Sequence, residues 1–393
     1  MRLKRKALNS MKVITDTDAL QTFCAGAATA PFIAIDTEFM REKTYWPILC
    51  LVQVAYEGDE AIIDPFADGL DLTPLLTLLD NHQVVKVFHA ARQDVEIFVR
   101  LLGHPPTPLF DTQIAAMVCG FGDQIGYEPL MKALVGASID KGSRFTDWSR
   151  RPLSEQQLTY ALSDVTYLRQ AFPILEKKLG RDGRADWVTD EMKALTAPAL
   201  YESDPKLAWT RLKLRGVKTH EMGPLIKLAE WREREAQNRD VPRGRVAKDD
   251  TLFELARMKP TKTADLSRAR TLSKGIERSR FADDIIAAVA EGTKIAADEL
   301  PKIKRKPDKP PAPPEVLELL KVVLKRQCEK HHVAPRLIAS TSDLEDLALY
   351  PDRESKIMSG WRGEIFGDVA RRVMNGDTGL RLNNGEIDLI DLT

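Results

Sequence analysis

Short apolar runs rich in β-branched residues alternate with longer amphipathic stretches through the first half of the chain. Four runs have the length and composition of strands, at residues 32–36, 50–56, 61–64 and 84–88. Stretches with helical periodicity lie near residues 72–80, 94–102, 112–119, 128–135 and 154–179. A group of strands followed by alternating strands and helices predicts an α/β fold with a mixed sheet flanked by helices.

The pattern changes after about Lys206, where β-branched runs disappear and Pro and Gly punctuate helical segments. A basic, proline-rich stretch at residues 301–314 divides this half and favours an extended connector. Residues 241–256 align without gaps on residues 333–348, and in each a polar cap position precedes a short helix. We therefore expect an all-helical tail with a duplicated module, the alternative being chance similarity between two capped helices.

The composition fits a globular enzyme, and the two halves of the chain differ in net charge. The chain has 393 residues, 43% of them hydrophobic, which is enough for two or three domains. The first 200 residues carry 21 basic and 26 acidic side chains, whereas the remainder carries 37 and 32. An acidic half that collects cations beside a basic half that neutralises phosphates fits a nucleic-acid enzyme, although unrelated proteins show similar splits.

Cysteine usage and hydropathy exclude several classes of protein. The four cysteines are far apart and form no C-x-x-C motif, which argues against zinc and disulfide frameworks. No window approaches the roughly 20 apolar residues of a membrane span. We expect a cytoplasmic protein without membrane contact. The ten residues before Met11 look unlike the rest, and Met11 reads like a natural start.

An acidic pair stands at the end of the first predicted strand. Asp36 and Glu38 are two residues apart, so on a strand they project from one face while Thr37 points to the other. Two adjacent carboxylates offer the hard oxygen ligands that Mg²⁺ and Mn²⁺ prefer. An exposed acidic pair on the surface of an acidic domain is the alternative.

Further acidic residues recur downstream. Tyr160 and Asp164 are four apart within a predicted helix and therefore share one face. Asp94 and Asp111 fall at helix starts, where an acidic side chain commonly answers the helix dipole. Taken singly, each of these residues has an ordinary structural explanation.

The ordered set of motifs resembles the DEDD superfamily of 3′-to-5′ exonucleases. The motifs that carry this resemblance are Asp36-Thr-Glu-Phe39, His89 through Asp94, and Tyr160-Ala-Leu-Ser-Asp164. Two further stretches are similar to the ribonuclease D family within it, namely Asp140-Lys141 with the segment 146–154, and Ser359-Gly-Trp-Arg-Gly-Glu364. The position five before the last aspartate is Thr159, not histidine, so the chain resembles the tyrosine-bearing branch. The helical repeats resemble HRDC domains, which implies nucleic-acid binding.

The resemblance implies a fold and a set of site residues. The fold would be ribonuclease H-like, with a mixed sheet flanked by helices, followed by two all-α HRDC-like bundles. Two divalent ions, Mg²⁺ or Mn²⁺, would be bound, with Asp36 bridging both, Glu38 and Asp164 completing the first, and Asp94 holding the second through water. Tyr160 would orient the attacking water. Candidate contacts to the terminal nucleotide are Thr37, Phe39 and Met40, with His89 and Lys141 as candidates to steady phosphates.

The expected domains are an exonuclease domain at 11–200, a first HRDC domain at 206–298, a basic linker at 299–314 and a second HRDC-like domain at 315–393.

The implied function is that of a monomeric 3′-to-5′ exoribonuclease that releases nucleoside 5′-monophosphates, with transfer RNA precursors and other structured RNA as substrates. A proofreading-type DNA exonuclease and a non-catalytic nucleic-acid-binding protein are the alternatives. A helicase is disfavoured because no G-x-x-x-x-G-K-[ST] phosphate loop occurs.

Overall fold

The computed structural model describes residues 11–140, 142, 146–272, 274–301 and 310–392. Its first half contains one six-stranded sheet. The strands are β1 (Val13–Ile14), β2 (Phe32–Met40), β3 (Ile48–Tyr56), β4 (Asp59–Ile63), β5 (Val85–Phe88) and β6 (Leu109–Asp111). The helices of this half are α1 (Thr17–Ala27), α2 (Thr73–Asp80), α3 (Arg92–Leu102), α4 (Thr112–Val118), α5 (Tyr127–Val135), α6 (Glu155–Arg181) and α7 (Ala185–Leu195).

The sheet is mixed, as the sequence predicts. Its strand order is β1-β4-β3-β2-β5-β6. Strands β2, β3 and β4 form an antiparallel meander, whereas β5 pairs in parallel with β2 and β6 pairs in parallel with β5. The central strand β2 runs through Met40, four residues beyond its predicted end, with a register shift between Glu38 and Phe39. The acidic pair therefore lies within the strand, not at its end.

Each face of the sheet is covered by helices. The face that carries Ile33, Ile35 and Val54 packs against α1, α2 and α3. The opposite face, with Ala34 and Ala55, packs against the long helix α6. A capping box between Ser154 and Gln157 fixes the start of α6, which agrees with the helical stretch predicted from residue 154. Helix α6 consequently lies over the face from which Asp36 and Glu38 project.

A first helical unit follows, with a core of its own. It contains α8 (Thr219–Asn238), α9 (Arg243–Val246), α10 (Asp249–Met258) and α11 (Ala282–Thr293). Leu225, Leu252 and Ile285 are among the buried residues of this core. Helices α8 and α11 cross at two facing glycines, because a Cβ on Gly223 would lie 2.0 Å from the carbonyl oxygen of Gly292.

A second helical unit repeats part of this order. It contains α12 (Pro314–His331), α13 (Pro335–Ile338), α14 (Thr341–Leu349), α15 (Gly360–Arg362), a π-helical turn (Gly363–Gly367) and α16 (Asp368–Asn375). In both units a long helix, a one-turn helix and a helix of nine or ten residues follow one another. The two aligned sequence segments thus occupy equivalent elements.

The chain ends in a β-hairpin, so the prediction of an all-helical tail is wrong there. Strands β7 (Thr378–Asn383) and β8 (Glu386–Asp391) pair antiparallel around Asn384 and Gly385. Both turn residues have positive φ, 49° and 87°, which Asn-Gly adopts readily in a two-residue hairpin. This Asn-Gly pair is the hairpin signal in the sequence.

The second helical unit shares its core with the α/β half. Buried residues of α12 and of the π-helical turn, such as Leu320 and Phe366, belong to the same apolar cluster as the sheet. Trp361 stacks on Trp187 of α7 with ring centroids 4.6 Å apart and an interplanar angle of 10°. The segment 359–364 therefore docks this unit onto the exonuclease half.

Among the described residues, no helix combines the length and apolarity needed to cross a membrane. The four cysteines are buried and unbridged. Half of the predicted linker, residues 302–309, and the ten N-terminal residues lie outside the described residues.

Candidate active site

Three of the four predicted carboxylates meet where β2 passes beneath α6. One carboxylate oxygen from each of Asp36, Glu38 and Asp164 lies within 4.8 Å of the others. The two-residue period of the strand places Asp36 and Glu38 on one face, and Asp164 approaches from the helix that covers this face. The structure thus brings together residues that are more than a hundred positions apart in sequence.

The electrostatics of this cluster favour a cation. The pKa of Asp36 is raised well above its ordinary value, first by burial and then by the negative charges of Asp164, Asp94 and Glu38. Ionised carboxylates this close repel each other unless a positive charge lies between them. A set of three carboxylates offers the oxygen ligands that a hard divalent ion takes, so these residues fit the predicted metal.

Asp94 lies close enough to Asp36 for its charge to act on that carboxylate. It lies in the first turn of α3, its side chain is 7% exposed, and its Oδ1 accepts a hydrogen bond from the Thr37 hydroxyl. Burial raises the pKa of Asp94 to about 7. Asp94 is therefore not one of the three clustered carboxylates, although its charge is felt by Asp36.

The Thr37 side chain is buried against Asp94. It is 5% exposed and donates to Asp94 on the face opposite the cluster. The strand alternation that aligns Asp36 with Glu38 turns Thr37 away from them. Its side chain supports Asp94, and the contact of Thr37 to a terminal nucleotide stays a prediction.

Tyr160 and Asp164 line a cavity of about 290 Å³ together with Asp36 and His89. The Tyr160 ring lies 6.1 Å from that of Trp148. Met40 packs within the same apolar group as these two rings, whereas Phe39 is half-buried beyond the irregularity in β2. Of the predicted nucleotide contacts, Met40 is the one placed beside Tyr160.

The segment that precedes α6 is anchored by one arginine. Nε and Nη2 of Arg151 donate to the two carboxylate oxygens of Asp64, each over 2.6 Å. Nη1 of the same guanidinium donates to the carbonyl of Trp148 over 2.8 Å. The Trp-Ser-Arg-Arg-Pro stretch thereby ties the sheet to the tryptophan that packs beside Tyr160.

His89 faces the cavity as a neutral imidazole. Its Nδ1 lies 3.0 Å from the Thr112 hydroxyl, which itself donates to the carbonyl of Phe88 over 2.9 Å. Because that hydroxyl proton is already used, Nδ1 of His89 is the donor. Burial lowers the pKa of His89. A neutral imidazole can still donate a hydrogen bond to a phosphate oxygen, so the role predicted for His89 stays a prediction; Lys141 lies outside the described residues.

Asp111 holds the loop that leads to Asp94. Its buried carboxylate accepts hydrogen bonds from the backbone N–H groups of Ala90, Ala91 and Gln113, over 3.0, 2.9 and 2.8 Å. Ala90 needs such support because its φ is 58°, a left-handed value that is unfavourable for alanine. The sequence shows Asp111 only as a helix-entry residue, since the loop contacts are made across 20 residues.

The comparisons with known proteins agree with this geometry. Residues 11–180 match the family profile described as 3′-5′ exonuclease, and residues 225–289 match that of the HRDC domain. The chain is 48% identical over 383 residues to a ribonuclease D of Jannaschia sp. (strain CCS1), covering 96% of this chain and 99% of that protein. The chain belongs to the ribonuclease D family.

This chain is also similar to other ribonuclease D proteins over most of its length. One from Gluconacetobacter diazotrophicus is 46% identical over 364 residues, covering 93% of each chain. The crystal structure of Escherichia coli RNase D, described as an exoribonuclease involved in structured RNA processing, superposes with a TM-score of 0.79 at 30% identity. That match covers 93% of this chain and 99% of the other.

Membership of the ribonuclease D family confirms the main predictions. The chain is a 3′-to-5′ exoribonuclease. It combines an α/β exonuclease fold containing a mixed sheet with an HRDC domain in the first helical unit. A ribonuclease D assignment disfavours the two alternatives, a proofreading DNA exonuclease and a non-catalytic binding protein.

Proposed function

We propose that this exoribonuclease uses two divalent ions, Mg²⁺ or Mn²⁺, to release nucleoside 5′-monophosphates from RNA 3′ ends. Asp36, Glu38 and Asp164 would hold one ion, and Asp36 with Asp94 the second. The observation that carries the proposal is the approach of three carboxylates to within 4.8 Å beneath α6. Their mutual repulsion, expressed in the raised pKa of Asp36, is what a bound cation relieves.

In the proposed mechanism each residue has a separate task. Two divalent ions held by these carboxylates would activate a water and would neutralise charge on the phosphate and on the leaving oxygen. Asp36 takes the central position because the other three carboxylates act on it. Tyr160, which lines the same cavity as Asp36 and Asp164, orients the attacking water through its hydroxyl.

The terminal nucleotide would be held beside the cluster. Met40 and Tyr160 pack against the same buried cluster, and Phe39 follows the carboxylate pair on the same strand. Apolar side chains at this place suit contact with a base face, which every nucleotide presents. Recognition of this kind fits an enzyme that must remove successive residues of different sequence.

The helical units are proposed to bind the body of the RNA. Both are interpreted as HRDC-like, the second because its elements repeat the order of the first. The domain limits predicted above stay proposals, as does the assignment of transfer RNA precursors and other structured RNA as substrates. Action as a monomer and a cytoplasmic location likewise stay predictions from the sequence.

A digestion time course tests the proposal. End-labelled RNA and DNA of matched sequence and length are incubated with Mg²⁺, Mn²⁺ or a chelator, and product size and polarity are followed. We expect 5′-mononucleotides from the RNA 3′ end, only when a divalent ion is present. Preferential digestion of the DNA strand would favour the proofreading-type alternative.

A further inference from the structure

Gln53 is a fully buried polar side chain without a partner. Its exposed fraction is 0%, and within the described part of the chain neither Oε1 nor Nε2 has a hydrogen-bond partner. A buried amide that leaves donors and acceptor unsatisfied is costly and uncommon in folded proteins. A leucine or methionine would fill the same space without that cost, so the amide calls for an explanation.

The register of the sheet places Gln53 beside the carboxylate cluster. Gln53 on β3 is the direct antiparallel partner of Asp36 on β2. Residues paired in this way project from the same face, with Cβ atoms about 4.5–5.5 Å apart. On the opposite flank its partner on β4 is Ile62, which is buried and apolar. Among its two cross-strand neighbours, only Asp36 can accept a hydrogen bond.

The layer around Ile62 contains another buried polar atom without a partner among the described residues. Ile62 packs with Leu51, Trp148 and Ala161 in the layer between the sheet and α6. In this layer Nε1 of Trp148 is also buried and has no hydrogen-bond partner among the described residues. An indole N–H can only donate, so it could satisfy Oε1 of Gln53 but not its two amide protons. Those protons need an acceptor.

We propose that Gln53 is a positioning residue for Asp36, whose carboxylate accepts a hydrogen bond from the Gln53 amide and is thereby fixed in the orientation that meets Glu38 and Asp164. The inference rests on the proposed metal site. An ionised carboxylate is a strong acceptor, and an amide beside it donates without adding a charge. Rotation about the last side-chain torsion of glutamine is broad and inexpensive, so the amide can turn toward Asp36. Hydrogen-bond partners of metal ligands commonly set ligand orientation in this way.

The test compares Gln53→Met with wild type in the full-length protein. Methionine is unbranched and close in size but lacks the amide. We expect the metal-free variant to stay folded with an unfolding temperature close to that of wild type, because methionine fills nearly the same volume as glutamine. Mn²⁺ affinity, measured by titration calorimetry, should fall about tenfold or more, the usual effect of losing such a partner. Gln53→Leu repeats the measurement if the methionine variant does not fold.

Two controls separate the possible outcomes. Ile62→Val changes packing on the other flank of Gln53 and should lower the unfolding temperature while leaving Mn²⁺ affinity unchanged. Asp36→Asn should lose Mn²⁺ binding. If Asp36→Asn binds Mn²⁺ normally, the proposed metal site itself is wrong. If Asp36→Asn loses binding while Gln53→Met and Gln53→Leu bind as wild type, only the role of Gln53 is rejected, and a purely structural pairing such as one with Trp148 remains.

Discussion

The hydroxyl of Tyr45 donates a hydrogen bond to the carboxylate of Glu233, joining the connection between β2 and β3 to the first helical unit. Glu233 is 0% exposed and also accepts from Arg243 and Arg211, over 2.7 and 2.8 Å. Burial alone would raise the pKa of Glu233, but the hydrogen bonds from Arg243 and Tyr45 hold it below its ordinary value. The HRDC domain is thus attached a few residues after the acidic pair.

Asp240 completes this attachment, because its Oδ1 accepts the backbone N–H groups of Tyr45 and Trp46 over 3.0 and 2.9 Å. Glu233→Gln should loosen it, since the substitution removes the charged acceptor of Arg243 and Arg211, and a hydrogen bond to a charged group contributes about 1.5–3 kcal/mol. We expect faster amide exchange at residues 41–47 and slower digestion of structured RNA, with short single strands digested at the wild-type rate.

The matched control for this change is Glu235→Gln. Glu235 lies in the same helix as Glu233, and the substitution removes its partly exposed ion pair with Arg280. It should leave exchange and both digestion rates unchanged. Equal slowing on structured and short RNA in Glu233→Gln would show that the contact supports folding in general and not the placement of the HRDC domain.

The metal-free protein should lose stability as pH rises toward neutrality. The pKa of Asp94 is about 7 in the folded protein, above its ordinary value of about 3.9. The folded state therefore keeps a proton that the unfolded state has lost, so the contribution of Asp94 is fully present below about pH 4 and is lost as pH rises through about 7. Asp94→Asn removes this titration, so thermal melts without metal should show a flatter pH dependence in that variant.

Metal binding should show the opposite pH dependence. Because the carboxylates must be ionised to hold a cation, binding releases protons and strengthens with pH. We expect Mg²⁺ to raise the unfolding temperature more at pH 8 than at pH 6. An equal increase at both values would contradict the assignment of raised carboxyl pKa values to the metal site.

Tyr160→Phe should reduce turnover by about a hundredfold or more, because the group that orients the attacking water is lost. The ring still packs beside Trp148, so folding should be retained. Mn²⁺ affinity should be unchanged, since Tyr160 is not one of the clustered carboxylates. Unaltered kcat in this variant would remove Tyr160 from the mechanism. Tyr127→Phe serves as a comparison, because its hydroxyl donates to backbone carbonyls of α6, Ser163 among them.

Trp361→Ala should destabilise the exonuclease half, although Trp361 lies in the second helical unit. The ring is largely buried and stacks on Trp187, so its removal should cost about 3–5 kcal/mol of unfolding free energy. Because both halves share one apolar cluster, chemical denaturation should shift as a single transition monitored at either half. A separate early transition of residues 315–392 would show that the second unit folds independently.

The sequence predicts four of the six strands of the sheet, the long helix α6 and the alignment of Asp36 with Glu38, because strand and helix periodicity act locally. It does not show that β2 continues to Met40, since the strand end depends on pairing with β3. The sequence also does not predict the hydrogen bond from Thr37 to Asp94 or the neutral state of His89, because both arise from contacts made across the fold. The same holds for Gln53, whose significance depends on the register opposite Asp36.

Substitution of Asp36 or Asp164 by asparagine is decisive, because both side chains retain their shape while the cation loses an ionised ligand. We measure release of 5′-mononucleotides from 3′-labelled RNA in Mg²⁺, with unfolding temperature recorded in parallel. The predicted result is loss of at least a thousandfold in rate with folding intact, as expected when transition-state stabilisation worth about 4 kcal/mol or more is removed. Wild-type rates in either variant would contradict a metal-dependent reaction at this cluster.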